Sequence, residues 1–515
     1  MKVVWFKRDL RLSDHLPLIK AIESGESVLG IYVVEPERLK QNDVSELHIS
    51  WDVANAKILS NDFQSLGGVF QIRHGDVTEI LEDIFDEIPF SEILAHEETG
   101  LLWSWDRDKE VKDWCDYKGI EFTEFPSNGV VRRLNNRDVW NDIRISRMSQ
   151  QSLPAPTSIL GEPKMKSVDE STGLFRDYKE IVNTWLEPGE LEANKVLTSF
   201  MKIRSEKYIS SISSPALAEN YSSRISAYIA SGVLSVKQVL EAISLMRMRI
   251  SKVNPKNRAY LNRNLNAFAS RVSWRCHFVQ RLEVEATQNY ICLNPELDSK
   301  LDRKFDEDKF NAWKNGKTGW PFFDACIRSL TQTGWINFRM RAMIQSVAAY
   351  TLWLPWQDSG NHLANLFIDY EPGIHWSQIH MQSGITGINA VRAYSIIKQS
   401  TDHDLQGEFI RKWVPELSMV PNSFIHEPWL MDEEIQEKIG VRIGRDYPAP
   451  IVDEAEERNR AIKACYNAKR EDDVKSRSKK VYETHGSRKK RNQKARKKGT
   501  INGKRTPQKS LSDFQ

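Results

Sequence analysis

Val3-Val4-Trp5-Phe6, Val28-Leu29-Gly30-Ile31-Tyr32-Val33-Val34, Val69-Phe70-Gln71-Ile72 and Ile93-Leu94-Ala95 are the stretches that decide the fold. With Phe122 and its neighbours they alternate with helical patterns at 15–24, 46–66, 77–87 and 104–118. Short β-type runs separated by helices predict a parallel sheet covered on both faces. Gly67-Gly68 stops the second helix in the manner of a C-cap. Residues 1–130 therefore read as an α/β doubly wound N-terminal domain. No G-x-G-x-x-G follows the first run, so the usual dinucleotide fingerprint is absent.

Outward from this domain the pattern changes twice. Periodicity fades from residue 126, with prolines at 126, 154, 156, 163 and 188, and residues 131–190 read as an interdomain connector. Beyond 190, the segments 193–208, 224–230, 236–250, 261–282 and 321–330 place apolar residues at helical spacing. That predicts an all-α domain over 191–450, ending near Pro448-Ala449-Pro450. Residues 451–515 read as a basic disordered tail. Residues 470–515 hold 16 Lys and Arg against 5 Asp and Glu, a net +11 that leaves −8 on residues 1–469 of a chain whose total is +3. Such an arm is suited to nucleic-acid phosphate.

Several chemistries are excluded. The 515 residues carry no apolar run near the ~18 needed to cross a bilayer. No membrane association is expected, and no secretory signal follows Met1. Cys115, Cys276, Cys292, Cys326 and Cys465 are scattered, which fits a reducing, cytoplasmic setting and a monomer without disulfides. Gly316-Lys317-Thr318 mimics a P-loop, but Asn311 stands where its first glycine belongs. His96-Glu97-Glu98 lacks a second zinc-protease histidine, so no metal is expected, and no G-x-S-x-G elbow occurs. Sixteen tryptophans, half of them from Trp274 to Trp413, point instead to a flat aromatic ligand, base stacking or electron hopping.

Ordered motifs sharpen this. Ser222-Ser223-Arg224-Ile225-Ser226 sets hydroxyls and a guanidinium at a helix start, a chemistry that suits phosphate. Trp313 to Pro321, Asp324-Ala325, Thr333-Gly334-Trp335, Asp369-Tyr370-Glu371 and Gly407 to Leu417 follow in order. Together with Val4-Trp5-Phe6-Lys7-Arg8-Asp9-Leu10-Arg11-Leu12, the chain resembles the photolyase/cryptochrome flavoprotein family, as a divergent member of bacterial type.

The resemblance implies an all-α FAD-binding C-terminal domain, with a second antenna chromophore of unspecified identity. Tyr208 and Ser222, Ser223, Arg224, Ile225 and Ser226 match positions that hold the FAD diphosphate. Arg275 matches a flavin-pocket arginine. Asp369 and Glu371 match the paired acids beside the flavin, and Arg341 the arginine that pairs with the first. Trp274 matches a tryptophan that stacks on a flipped-out lesion, and Arg339 a DNA-facing arginine. The chain departs from the family pattern at five residues. His375 faces flavin N5, where a titratable imidazole would tune the flavin as a catalytic group with Trp274 and Arg341. Ile379 replaces the flavin-proximal tryptophan and Arg303 the distal one. Arg271 and Phe338 stand where an acid and an asparagine of the lesion pocket are usual. The expected electron route is therefore Trp376 and Trp356, emerging near Trp313 or Trp320. The implied activity is light-driven repair of UV-damaged DNA, a lyase reaction, with a blue-light photosensor that repairs nothing as the alternative.

Overall fold

Six strands run parallel in the computed structural model, which describes residues 1–134 and 136–486: β1 (Lys2–Phe6), β2 (Val28–Val34), β3 (Val69–His74), β4 (Glu92–His96), β5 (Glu121–Phe125) and β6 (Val168–Asp169). Their spatial order is β5-β4-β1-β2-β3-β6, with Val3 opposite both Leu29 and Ile93. Every residue of β2 is buried, because helices cover both faces and leave no solvent side to alternate with. Gly68 follows the helix Glu46–Ser65 where a Cβ would lie 2.4 Å from the Phe63 ring, so only glycine permits that exit.

The connector is not structureless. It forms the helix Trp140–Met148 and returns to the sheet as β6, which pairs with β3 through Gln71 and Val168. β6 was not expected from the sequence, since two exposed residues carry no periodicity. One sheet face and the following helices share a single apolar core in which Trp51 meets Tyr228 edge-on at 5.6 Å. A second core fills the helical half around Trp313, Trp320, Trp356 and Trp376.

Residues 451–486 correct the expected disordered tail. The helix Glu454–Ala468 buries Ala461 and Cys465, and Asp472–His485 buries Val474 and Val481. Asp453 caps the first by accepting from the Glu456 amide, with Glu454, Glu456 and Glu457 in the first turn. The second is tied down by Arg477 Nε donating to the Leu293 carbonyl (3.0 Å) and Asn294 Nδ2 donating to Ser478 Oγ (2.9 Å). The remainder of the basic segment, 487–515, lies outside the described residues. All five cysteines are buried and free. No helix among the described residues is long and apolar enough to cross a membrane.

These contacts predict a sharp boundary. Compared with truncation after residue 486, truncation after Pro450 should cost about 4 kcal/mol or more from the lost burial of those side chains. Equal melting temperatures for the two truncations would contradict this packing.

Candidate functional site

β1 is followed by Lys7-Arg8-Asp9, and this segment and the residues after it dock on the turn Ser231-Gly232. Arg11 Nη1 donates to the Gly232 carbonyl at 2.7 Å. Gly232 has φ +71°, and a Cβ there would sit 1.9 Å from the Arg8 carbonyl oxygen, so glycine is required twice over. Arg8 then reaches into the helical half, donating to the Ala230 carbonyl (3.0 Å) and to Glu371 Oε2 (3.1 Å). Arg275 Nη2 donates to the same oxygen at 2.7 Å. One buried carboxylate thus joins two arginines from opposite halves of the chain. Arg8 carried no role in the sequence reading, because its partner is 363 residues away.

Behind this junction lies a cavity of about 370 Å³. Tyr208, Ser222, Ser223, Arg224, Ile225 and Ser226 form one wall, while Arg275, Arg341, Asp369, Glu371 and His375 form another. Trp274 and Arg339 line it too, together with Arg271, Phe338 and Ile379. Arg224 adopts φ +59°, a strained conformation for a non-glycine residue, and its guanidinium lies 4.6 Å from the Trp185 ring centroid. Arg341 Nη2 pairs with Asp369 Oδ2 at 2.9 Å and its Nε donates to the Ile336 carbonyl at 2.8 Å.

The cavity walls fit a large, multiply hydrogen-bonding cofactor such as FAD. Ser222 Oγ, Arg224 Nε, Asp369 Oδ1, Glu371 Oε1, Asn337 Oδ1, Gln345 Oε1 and Gln382 Oε1 are buried without a partner, and all belong to residues of this lining. Orphaned buried donors and acceptors are costly, and so many around one space mark a ligand chamber.

His375 corrects the expectation of a titratable imidazole. Burial pushes its pKa down to about 3, and its Nε2–H donates to the Gly360 carbonyl at 2.9 Å. It is a neutral, oriented ring whose Nδ1 is the remaining acceptor.

Trp356 and Trp376 lie outside the lining, fully buried, with ring centroids 5.8 Å apart in an edge-to-face pair. Trp376 Nε1 donates to Tyr370 (3.1 Å) and Asp43 (3.2 Å), and Tyr370 lines the cavity. Trp356 Nε1 donates to Asp298 at 2.9 Å. Trp313 and Trp320, expected as the exit, are 0% and 1% exposed and cannot reach solvent. Half-buried Trp353 can, with the guanidinia of Arg303 and Arg460 at 4.9 and 5.7 Å from its ring centroid.

A second polar cluster, Asp9, His15 and His96, lies at the carboxyl end of β1. His15 Nδ1 accepts from the Leu18 amide, so its proton is on Nε2, which donates to Asp9 Oδ2 at 2.9 Å. His96 Nδ1 donates to the same oxygen at 2.7 Å, and Asp9 Oδ1 accepts from the Lys7 amide. Burial pushes both imidazoles down, His96 to about 3. Asp9 thus holds both imidazoles by hydrogen bonds, and the cluster clamps the strand end.

Comparison with known proteins agrees with this geometry. Residues 2–135 match the family model described as DNA photolyase, and residues 268–467 that described as the FAD binding domain of DNA photolyase. A deoxyribodipyrimidine photo-lyase of Alkalihalophilus pseudofirmus is 26% identical over 90% of this chain and 97% of its own. A cryptochrome DASH of Gloeobacter violaceus is 24% identical over 90% and 95%. A crystal structure of a class III photolyase from Agrobacterium tumefaciens superposes with a TM-score of 0.79 at 23% identity, covering 91% of this chain and 98% of that one.

The shared carboxylate generates a prediction that needs no cofactor. Glu371→Gln leaves Arg8 and Arg275 without their counter-charge, and because both guanidinia are partly exposed the cost should be about 2 kcal/mol, below the 3–5 of a fully buried pair. Denaturant unfolding of the cofactor-free protein measures it. Wild-type stability in this variant would show that the junction contributes nothing.

Proposed function

The chain belongs to the photolyase/cryptochrome flavoprotein family, and from that premise we propose that it is a light-driven, FAD-dependent DNA photolyase acting on UV-damaged pyrimidines. One observation carries the reading: the chamber that fits the cofactor also contains an aromatic and cationic group of residues that reaches solvent. Trp274 is half-buried, Phe338 is 40% exposed, and Arg271 and Arg339 accompany them. Rings next to guanidinia suit an unstacked base and its phosphates.

Bound FAD supplies light absorption and, when reduced, a one-electron donor. Ser222, Ser223, Arg224 and Ser226 would hold its diphosphate. The unpartnered oxygens of Asp369 and Glu371 would accept hydrogen bonds from it, and Arg341, Arg275 and Arg8 hold those carboxylates in place. Neutral His375 presents an acceptor rather than a proton. Trp274 offers its ring to the damaged base, and Arg339, kept in position by Nε donating to Ser213 Oγ at 3.0 Å, takes a phosphate.

Electrons would reach the chamber through Trp356 and then Trp376, with the positive charge left behind passing outward to Trp353. Ile379 cannot be oxidised, but Tyr370 and His375 form the wall between the chamber and Trp376, whose ring centroid is 5.0 Å from that of His375. Asp298 accepts from Trp356, and so would stabilise positive charge on its ring.

The photosensor reading has one observation in its favour. The Arg271 guanidinium lies 5.1 Å from the Trp274 ring centroid, where a flipped base would stack. Illumination of the flavin-loaded protein with damaged single- and double-stranded oligonucleotides separates the two. Restored bases establish repair, whereas flavin photochemistry without restored bases leaves the sensor. For the electron route, Trp376→Phe and Trp356→Phe should each slow photoreduction with external reductant at least tenfold while retaining FAD. A wild-type rate in both would refute the route.

A further inference from the structure

We propose that the exposed face running from the chamber mouth to the start of the helix Pro255–Val284 binds the phosphate backbone of DNA, with Lys256 and Arg263 as its phosphate contacts. The choice of DNA rests on the repair reading, and the face carries that reading to residues well away from the chamber.

Residues 242–274 hold seven lysines and arginines and no aspartate or glutamate. They belong to a stretch, 1–469, whose net charge is −8, so cations are gathered here against the trend of the body. Arg247, Lys252, Lys256 and Arg263 are exposed, and none of them makes an ion pair among the described residues. Elsewhere exposed lysines pair with an acid one turn away, as Lys20 does with Glu23 and Lys398 with Asp402. No acid stands within a turn of Lys252, Lys256 or Arg263 in sequence. The turn Arg204–Lys207, which packs on the same helix, brings one acid, Glu206, together with Lys207.

The helix sets the cations in line with the chamber. Lys256 and Arg263 lie 18 and 11 residues before Trp274, which at 3.6 residues per turn puts both within about 20° of its direction. Tyr260, 52% exposed, lies between them, and Arg271 and Trp274 end the stripe at the chamber lining. At 1.5 Å per residue the stripe is about 27 Å long, the rise of about eight base pairs at 3.4 Å each. Arg247 flanks it, donating to Asn266 of the same helix at 3.2 Å.

Local stability does not account for these cations. Asn254 caps the helix by accepting from the Lys256 amide at 3.0 Å, and the first turn carries Lys256 and no acid. A cation there opposes the helix dipole. Arg249 differs, because it lies in the last turn of the helix Val236–Ser251, where its charge complements the dipole. A line of unpaired cations with a ring among them, leading to a chamber lined by Trp274, matches the regular charge of a nucleic-acid backbone.

The purified flavin-loaded full chain is titrated in the dark with an undamaged duplex of about 20 base pairs, longer than the stripe, over a range of salt. The double variant Lys256→Gln/Arg263→Gln should lower the slope of log affinity against log salt by about two units and weaken low-salt binding at least tenfold, with wild-type melting temperature and flavin content. Lys256→Gln alone should lower the slope by about one unit, and it decides the matter if the double variant loses flavin. Lys256→Arg/Arg263→Lys keeps both charges and should keep the wild-type slope. The segment 487–515 is present in every protein compared, so its share cancels.

A wild-type slope in the glutamine variants, or an equal loss in the charge-conserving one, overturns the proposal. So does a loss of binding to anionic lipid vesicles with none to duplex, which would assign the face to a membrane surface. Undamaged DNA in the dark requires no repair. If illumination restores no bases and the slope still falls, the face stands and the repair reading fails. If bases are restored and the slope is unchanged, the face alone fails.

Discussion

Glu371 Oε2, shared by Arg8 and Arg275, is the contact on which the rest of the site depends. The α/β half contributes one side chain to the helical half's chamber, and that side chain leaves the end of β1, where strand order reverses and doubly wound folds place their function. Around it, Arg11 on Gly232 and the Asp9 clamp fix the backbone from which Arg8 projects. Without them Arg8 would have to pay conformational entropy for a contact 363 residues away. With them the loop is already ordered, and Glu371 is held with one oxygen satisfied and the other free.

That arrangement explains which parts were readable beforehand. β1, β2 and β4 were legible as apolar runs between helical periods, β3 and β5 from the apolar residues at their centres, such as Phe70, Ile72 and Phe122, and the chamber residues because their motifs keep family order. β6 was illegible because pairing with β3, not its own composition, makes it a strand. The helices of 454–485 were hidden by charge. Their buried positions are Ala461, Cys465, Ala468, Val474, Val481 and His485, a thin stripe inside acidic and basic sequence, although Asp453 with Glu454, Glu456 and Glu457 was a readable start signal. Net charge averaged over 470–515 mixed a packed segment with residues outside the described range.

The tryptophans show the same limit from another side. Spacing placed Trp376 one turn from Ile379, and both are there, but spacing says nothing about which ring reaches solvent. Trp313 donates to the Ile344 carbonyl from a fully buried position, so its indole is a core element. Trp376 is buried equally, yet Gly360 lets it lie against the helix Trp356–Leu366, where a Cβ would come within 2.6 Å of the ring. Absence of a side chain there is what allows the edge-to-face approach to Trp356.

The buried polar clusters of this protein divide by one criterion, whether their hydrogen-bonding capacity is spent. Asp9, His15 and His96 use the donors and acceptors that face one another, and such a cluster rigidifies a strand end. Ser222, Arg224, Asp369 and Glu371 each keep a buried atom without a partner, and they enclose a space. Since an unmet buried donor or acceptor costs about 1–3 kcal/mol, a fold can retain several only if a ligand meets them in the working state. By that reasoning the unmet atoms of the flavin chamber measure how strongly the protein is organised toward its cofactor.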